Sequence, residues 1–253
     1  MPAASRSPLL LLVVALVLLV AADVVRRTLA PTGAARAPSA PVAAPVGTTA
    51  QGGLAEPADD STARALRRAE VLARMAEEGA GTYLADMVGA DSLLRRWPDE
   101  RRTRPLRVAT VRAGVDGYRE EFAGNVTWSM LRWNGALPVP LEAWADSASA
   151  DIVVTWTARL DSNRTGRTDV TWDGRGIMRR AVVVLATHLP DGRSMDGAEM
   201  TAVALHELGH AVGLNHSSVP GDALYTRTRA IELSERDRRT VRLLYALPPG
   251  SLR

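Results

Sequence analysis

The sequence predicts an α+β fold, and three observations point to it. Short β-branched runs at Leu106–Val111, Ile152–Trp156 and Ala181–Thr187 read as strands. Stretches at 116–135, 197–212 and 234–246 carry apolar residues at helical spacing between polar ones. Apolar residues make up 46% of the 253, enough to bury a sizeable core, and no internal repeat divides the chain.

The first element is an apolar run. Pro8 to Ala22 reads PLLLLVVALVLLVAA, without a charge and with Arg6 just before it. As a helix it would span about 22 Å, short of the ~30 Å of a hydrocarbon core. Residues 1–25 therefore read as a cleaved secretory signal or a retained membrane anchor, with a buried core helix as the bland alternative. Val20-Ala21-Ala22 would serve as a cleavage site. Either leading reading places the rest outside the cytoplasm. Residues 26–60 are rich in Ala, Pro, Gly, Thr and Ser and read as a disordered linker, because they offer too little apolar surface to offset ordering.

Residues 61–98 form a short helical segment. Leu66, Ala69, Leu72, Ala73 and Ala76 recur at helical spacing until Gly79 and Gly81. A second helical piece holds Tyr83, Leu84, Met87, Leu93, Leu94 and Trp97 and ends at Pro98. The segment reads as a stalk or as helices packed on the back of the main domain; a pro-segment covering the site is the sharper alternative.

The main domain is expected over 99–253. After the strand at Leu106–Val111, Asp116 and Gly117 open a helix with Phe122, Val126, Met130 and Trp133 on one face, and Gly135 closes it. Val139 to Trp144 reads as a short strand, with Pro138 and Pro140 marking an edge. Thr165 to Gly176 reads as turn-rich, Asp173-Gly174 being its strongest signal. The last helix opens with Ser234-Glu235-Arg236-Asp237 and ends before Pro248.

The chemistry concentrates in His206 to His216, HELGHAVGLNH. His206 and His210 are four apart and share one helix face, so two imidazoles can grip one zinc from the same side. Glu207 lies one residue on, within reach of the metal's open position. Gly213 permits a positive φ that turns the chain back, and His216 supplies a third nitrogen. Three protein ligands with one position left for water is the pattern of a catalytic zinc site. The chain holds four histidines and three fall on this pattern, which separates it from a chance HExxH.

This run resembles the metzincins, and within them the matrixins (matrix-metalloproteinase-like catalytic domains), over residues from about Leu106 to Leu247. Ser217 directly after the third His, ADIVVTW at Ala150–Trp156, and Leu233-Ser234-Glu235-Arg236-Asp237 leading into Leu243-Leu244-Tyr245 carry the likeness. The resemblance implies a zincin-type catalytic domain: a twisted mixed sheet with three helices, the metal helix below a cleft. It also implies an extended peptide substrate lying along Ala181–Thr187 as the antiparallel edge. The implied activity is zinc-dependent endopeptidase, with His206, His210 and His216 on one catalytic zinc and Glu207 as general base. Two departures bear on this. Leu224 stands where the family places a Met, eight residues after the third His, followed by the family's Tyr at Tyr225. Swaps of similar volume cost under about 1.5 kcal/mol, so the turn is expected to survive. His188 is the one histidine left over and reads as a strand-end residue, which leaves no second, structural zinc.

Composition closes off other classes. Cysteine is absent, so there is no disulfide, no thiolate ligand, no thiol nucleophile and no cysteine-based latency. The sequence pI of about 9.9 comes with a net charge of only +3 and Arg spread along the whole chain. No basic stripe with interleaved aromatics appears, so nucleic acid is not expected as a partner. A plain polar turn at Asp161, Asn163, Asp169 and Asp173 competes with a calcium site there, since no calcium loop is recognisable. Two alternatives stay open: a catalytically impaired zinc-binding module that recognises peptides by strand addition, and a zinc hydrolase of non-peptide amides.

Overall fold

The computed structural model describes residues 60–111 and 114–252. The apolar run at 8–22 and the linker lie outside them. Among the described residues no helix is long and apolar enough to cross a membrane.

In chain order the elements are α1 (Asp60–Glu78), α2 (Leu84–Asp91), β1 (Leu93–Leu94), a 3-10 turn (Asp99–Arg102), β2 (Leu106–Thr110), α3 (Glu121–Asn134) and β3 (Leu141–Ala143). Then follow β4 (Ile152–Thr157), β5 (Gly166–Trp172), β6 (Met178–Ala186), α4 (Gly197–Ala211), α5 (Glu235–Ala246) and β7 (Gly250–Ser251). Five strands form a mixed sheet in the order β3-β2-β4-β6-β5. All neighbours are parallel except β5, which runs antiparallel to β6.

The register decides which residues meet the helices. Val108 pairs with Ile152, and Ile152, Val154 and Trp156 pair with Ala181, Val183 and Leu185. These residues share one face and enter one core with Phe122, Val126 and Trp133 of α3 and Leu205 and Leu208 of α4. Strand side chains alternate between faces, so Ala109 and Val153 fall on the other side and make a small separate cluster with Ala150. Val71, Tyr83, Leu84, Met87, Leu94 and Trp97 also belong to the main core. Thus α1, α2 and the segment after them pack with the domain.

The structure corrects four expectations. The α3 helix begins at Glu121, not at Asp116-Gly117, because Gly117 sits at φ +73 in a turn that cannot propagate a helix. The second helical piece stops at Asp91; Ser92 caps it in the left-handed region at φ 54, and Leu93-Leu94 become a strand paired with Gly250-Ser251. The stretch read as turn-rich, Thr165 to Gly176, is mostly strand β5, and only 173–176 turns, closed by Gly176 N–H donating to the Asp173 carbonyl at 2.9 Å. The strand at Ala181–Thr187 is therefore not the edge. Its residues up to Ala186 belong to β6, between β4 and β5, and the antiparallel edge is β5. The shorter edge strand β3 lies at the opposite end of the sheet, within the expected 139–144.

Candidate metal centre

The α4 helix is fixed at both ends. At its start Asp196 accepts from Glu199 N–H and the Glu199 side chain reaches back to Asp196 N–H, a capping box. At its end two carbonyls left without helical partners take donors from elsewhere in the chain. Trp97 Nε1 donates to the Ala211 carbonyl at 2.9 Å, and the Tyr245 hydroxyl to that of Val212 at 3.1 Å. Gly213 then reverses the chain at φ +103, where a β-carbon would collide with the Arg95 carbonyl oxygen. Glycine is required there on both counts.

This turn brings three imidazoles together. His206 Nδ1 lies 2.8 Å from the Ala223 carbonyl and His210 Nδ1 2.8 Å from that of Leu214. A carbonyl can only accept, so both Nδ1 atoms carry the proton and both Nε2 atoms present bare lone pairs. The His210 Nε2 sits 3.1 Å from His206 Nε2 and 3.3 Å from His216 Nε2. Two bare lone pairs cannot hydrogen-bond to each other, and this convergence is consistent with a shared zinc. Tetrahedral ligands at 2.0–2.1 Å from zinc would stand about 3.3 Å apart, which matches. Burial pushes all three imidazoles down, His206 to about 4 and His210 to about 3, and so keeps them in the neutral form that binds metal.

The turn beneath is held by buried carboxylates. Tyr225 N–H donates to the Asp222 carbonyl at 3.2 Å, and Leu224, fully buried, receives Ser217 N–H at 2.9 Å. Leu224 packs under α4 where Gly209 has no side chain: a β-carbon there would lie 2.6 Å from Leu224 Cδ2 and 2.9 Å from Trp133 Cζ2. Asp237 accepts from Ala223 N–H at 2.8 Å, Ser234 N–H at 2.9 Å and the Tyr83 hydroxyl at 3.0 Å. Asp222 accepts from the Ser217 and Ser234 hydroxyls and from Arg236 Nε. Since Ala223 also holds His206 by its carbonyl, Asp237 is one residue removed from the imidazole cluster.

Glu207 points the other way round the helix, to the edge strand. Its Oε2 accepts from the Thr168 hydroxyl at 2.6 Å, and its carboxyl fills the space a side chain at Gly166 would take. Burial outweighs the Thr168 hydrogen bond and the nearby Arg164 and pushes the carboxyl up to about 7. A carboxyl poised there can both accept and return a proton near neutral pH.

A family model described as Matrixin matches residues 117–246, more than half of the chain. The chain belongs to the matrixin family. No curated protein matches it. The family is one of zinc metallopeptidases, and the five-stranded mixed sheet with its helices agrees with that fold.

In this matrixin the remaining candidates do not gather. His188 follows β6, with Nδ1 3.0 Å from Thr187 Oγ1 and its ring over Gly117. Asp169 pairs with Arg167 at 3.0 Å, while Asp173 pairs with Arg179 at 2.7 Å and accepts two backbone N–H groups of its own turn. Among the described residues, Asp161, Asp169 and Asp173 form no common ligand group, whereas the three histidines do. In the sequence, Thr168, Gly166, Asp222, Asp237 and Tyr83 have no visible role in the site. The Ser-Glu-Arg-Asp start of α5 was the one available signal, since a capping box needs an acidic third residue, and that residue is Asp237.

Proposed function

We propose that this matrixin is a zinc endopeptidase in which His206, His210 and His216 hold the metal and Glu207 is the general base. The observation that carries this is the meeting of Nε2 atoms at 3.1 and 3.3 Å with the two Nδ1 atoms tied to carbonyls. When bound, zinc supplies Lewis acidity that polarises a peptide carbonyl and acidifies water. Glu207 takes the proton of the attacking water and delivers it to the leaving amine nitrogen, which its position near neutral pH suits. The Nδ1–carbonyl bonds hold two rings in the tautomer and orientation that ligation needs. The substrate lies extended along β5, whose outer edge has no strand beside it among the described residues. The uncharged run Pro8–Ala22 supports export of the domain, by a cleaved signal or a retained anchor.

The test compares the wild-type chain with Glu207→Ala and His206→Ala for zinc content and for cleavage of a quenched peptide library. Glu207→Ala should keep stoichiometric zinc and lose cleavage by roughly 10²–10⁴-fold. His206→Ala should lose both. An active Glu207→Ala protein, or a wild type that binds no zinc, ends this assignment.

A further inference from the structure

Thr168 is the third residue of β5, in register with Val183, and its side chain faces α4. Strand packing at such a site asks only for a β-branched side chain, which valine would satisfy. The hydroxyl is therefore the unexplained part. It lies 2.6 Å from Glu207 Oε2 and 3.0 Å from the Glu207 backbone carbonyl. Two residues away on the same face, Gly166 leaves the volume that the carboxyl fills. A β-carbon at Gly166 would stand 2.6 Å from Glu207 Cγ and 2.7 Å from Cδ, and closer still to Oε1. Side chains two apart on a strand share a face, so this hydroxyl and this missing side chain form one seat.

We propose that Thr168 is a positioning residue for Glu207. This inference rests on Glu207 being the general base. The Thr168 hydroxyl anchors Oε2 to the edge strand, and Gly166 gives the carboxyl room to lie flat against it. Held at one oxygen, the group cannot swing about its side-chain torsions. Oε1, which has no hydrogen bond to any described residue, is left as the oxygen that exchanges protons with water and the leaving amine. The seat also ties chemistry to substrate: the strand along which the peptide lies is the strand that aims the base, so a shift of β5 moves both together.

The experiment uses the full chain loaded with zinc and compares wild type, Thr168→Val, Thr168→Ser and Gly166→Ala. Readouts are kcat and KM on a cleaved peptide, zinc stoichiometry and Tm. Losing a hydrogen bond to a charged group predicts a fall in kcat on the order of 10- to 100-fold for Thr168→Val, with KM within about twofold and zinc unchanged. Thr168→Ser, which keeps the hydroxyl, should recover kcat to within about threefold of wild type. Gly166→Ala should lower kcat by displacing the carboxyl. Wild-type kcat in Thr168→Val overturns the proposal, as does a Thr168→Ser protein as impaired as Thr168→Val, or a loss that follows zinc content or Tm. A wild type that cleaves nothing refutes the endopeptidase reading instead. Crystal structures of wild type and Thr168→Val then still decide the inference. The Glu207 carboxyl should leave the strand in the variant, and an unmoved carboxyl overturns it.

Discussion

The α4 helix and strand β5 face each other across Glu207 and are held in opposite ways. The helix is tied down by tertiary hydrogen bonds from distant residues: Trp133 Nε1 to the Leu205 carbonyl, Trp97 Nε1 to Ala211 and Tyr245 to Val212. The turn after it hangs on Asp222 and Asp237, both buried. By contrast, among the described residues β5 pairs with a strand on one side only, β6, touches α4 through the Thr168 hydroxyl, and leaves its outward residues Arg167, Asp169 and Thr171 exposed. The difference teaches where precision is stored. The wall that carries the three histidines is over-determined by buried polar contacts. The edge strand is set by register, and among the described residues no strand pairs with its outer side.

This contrast can be broken by substitution. The largest effect is expected at Asp237. Asp237→Ala strands two backbone N–H groups and the Tyr83 hydroxyl in the core, and should cost about 3–5 kcal/mol in urea unfolding and weaken zinc retention through Ala223 and His206. A loss under 1 kcal/mol would mean that the turn is not anchored there. Next comes Gly213→Ala, which meets both the positive φ and the Arg95 carbonyl and should cost about 2–3 kcal/mol. Equal stability of the variant by thermal melting would remove the steric reason for glycine.

Acidification should act on the helix wall too. His206 and His210 fall to about 4 and about 3 in the fold against 6.5 in their ordinary state. The folded chain thus binds fewer protons than the unfolded one below pH 6.5. These groups cost nothing above that pH, and they remove stability progressively as pH falls toward 4. Glu207, raised from 4.5 to about 7, acts oppositely, its cost growing as pH rises across that window. Two histidines outweigh one carboxyl, so the Tm of metal-free protein should be lower at pH 4.5 than at pH 6.5; the reverse order contradicts the burial of the ring cluster. The smallest effect belongs to the edge strand. Arg167→Ala removes an exposed pair with Asp169 and should change stability by no more than about 0.5 kcal/mol. A larger loss would show β5 to be as constrained as the helix.

How much of this was legible follows the same divide. The helices at 197–212 and 234–246 and the strand at Ile152–Trp156 could be read because each carries its own period and its own stop signals. The edge strand could not. Its half-buried row opens on Gly166 and Thr168 and its outward row is charged or polar, so apolar alternation is confined to Val170 and Trp172 at its end. The family resemblance placed the edge at Ala181–Thr187. The continuous apolar run there instead suits a strand inside the sheet, where β6 lies between β4 and β5. The Leu93-Leu94 pair reads as part of a helix because nothing local announces its distant partners Ser251 and Gly250.

The sequence by itself determined the histidine pattern: His206 and His210 one turn apart, Glu207 between them, Gly213 to turn the chain and His216 beyond it. Spacing within a single helix and turn is a local property that the chain carries in its order. Tertiary structure alone decided that Thr168 meets Glu207, that Asp237 holds the turn under His206, and which strand lies at the edge. Those depend on strand register and on packing between segments far apart in the chain, and no local period encodes either.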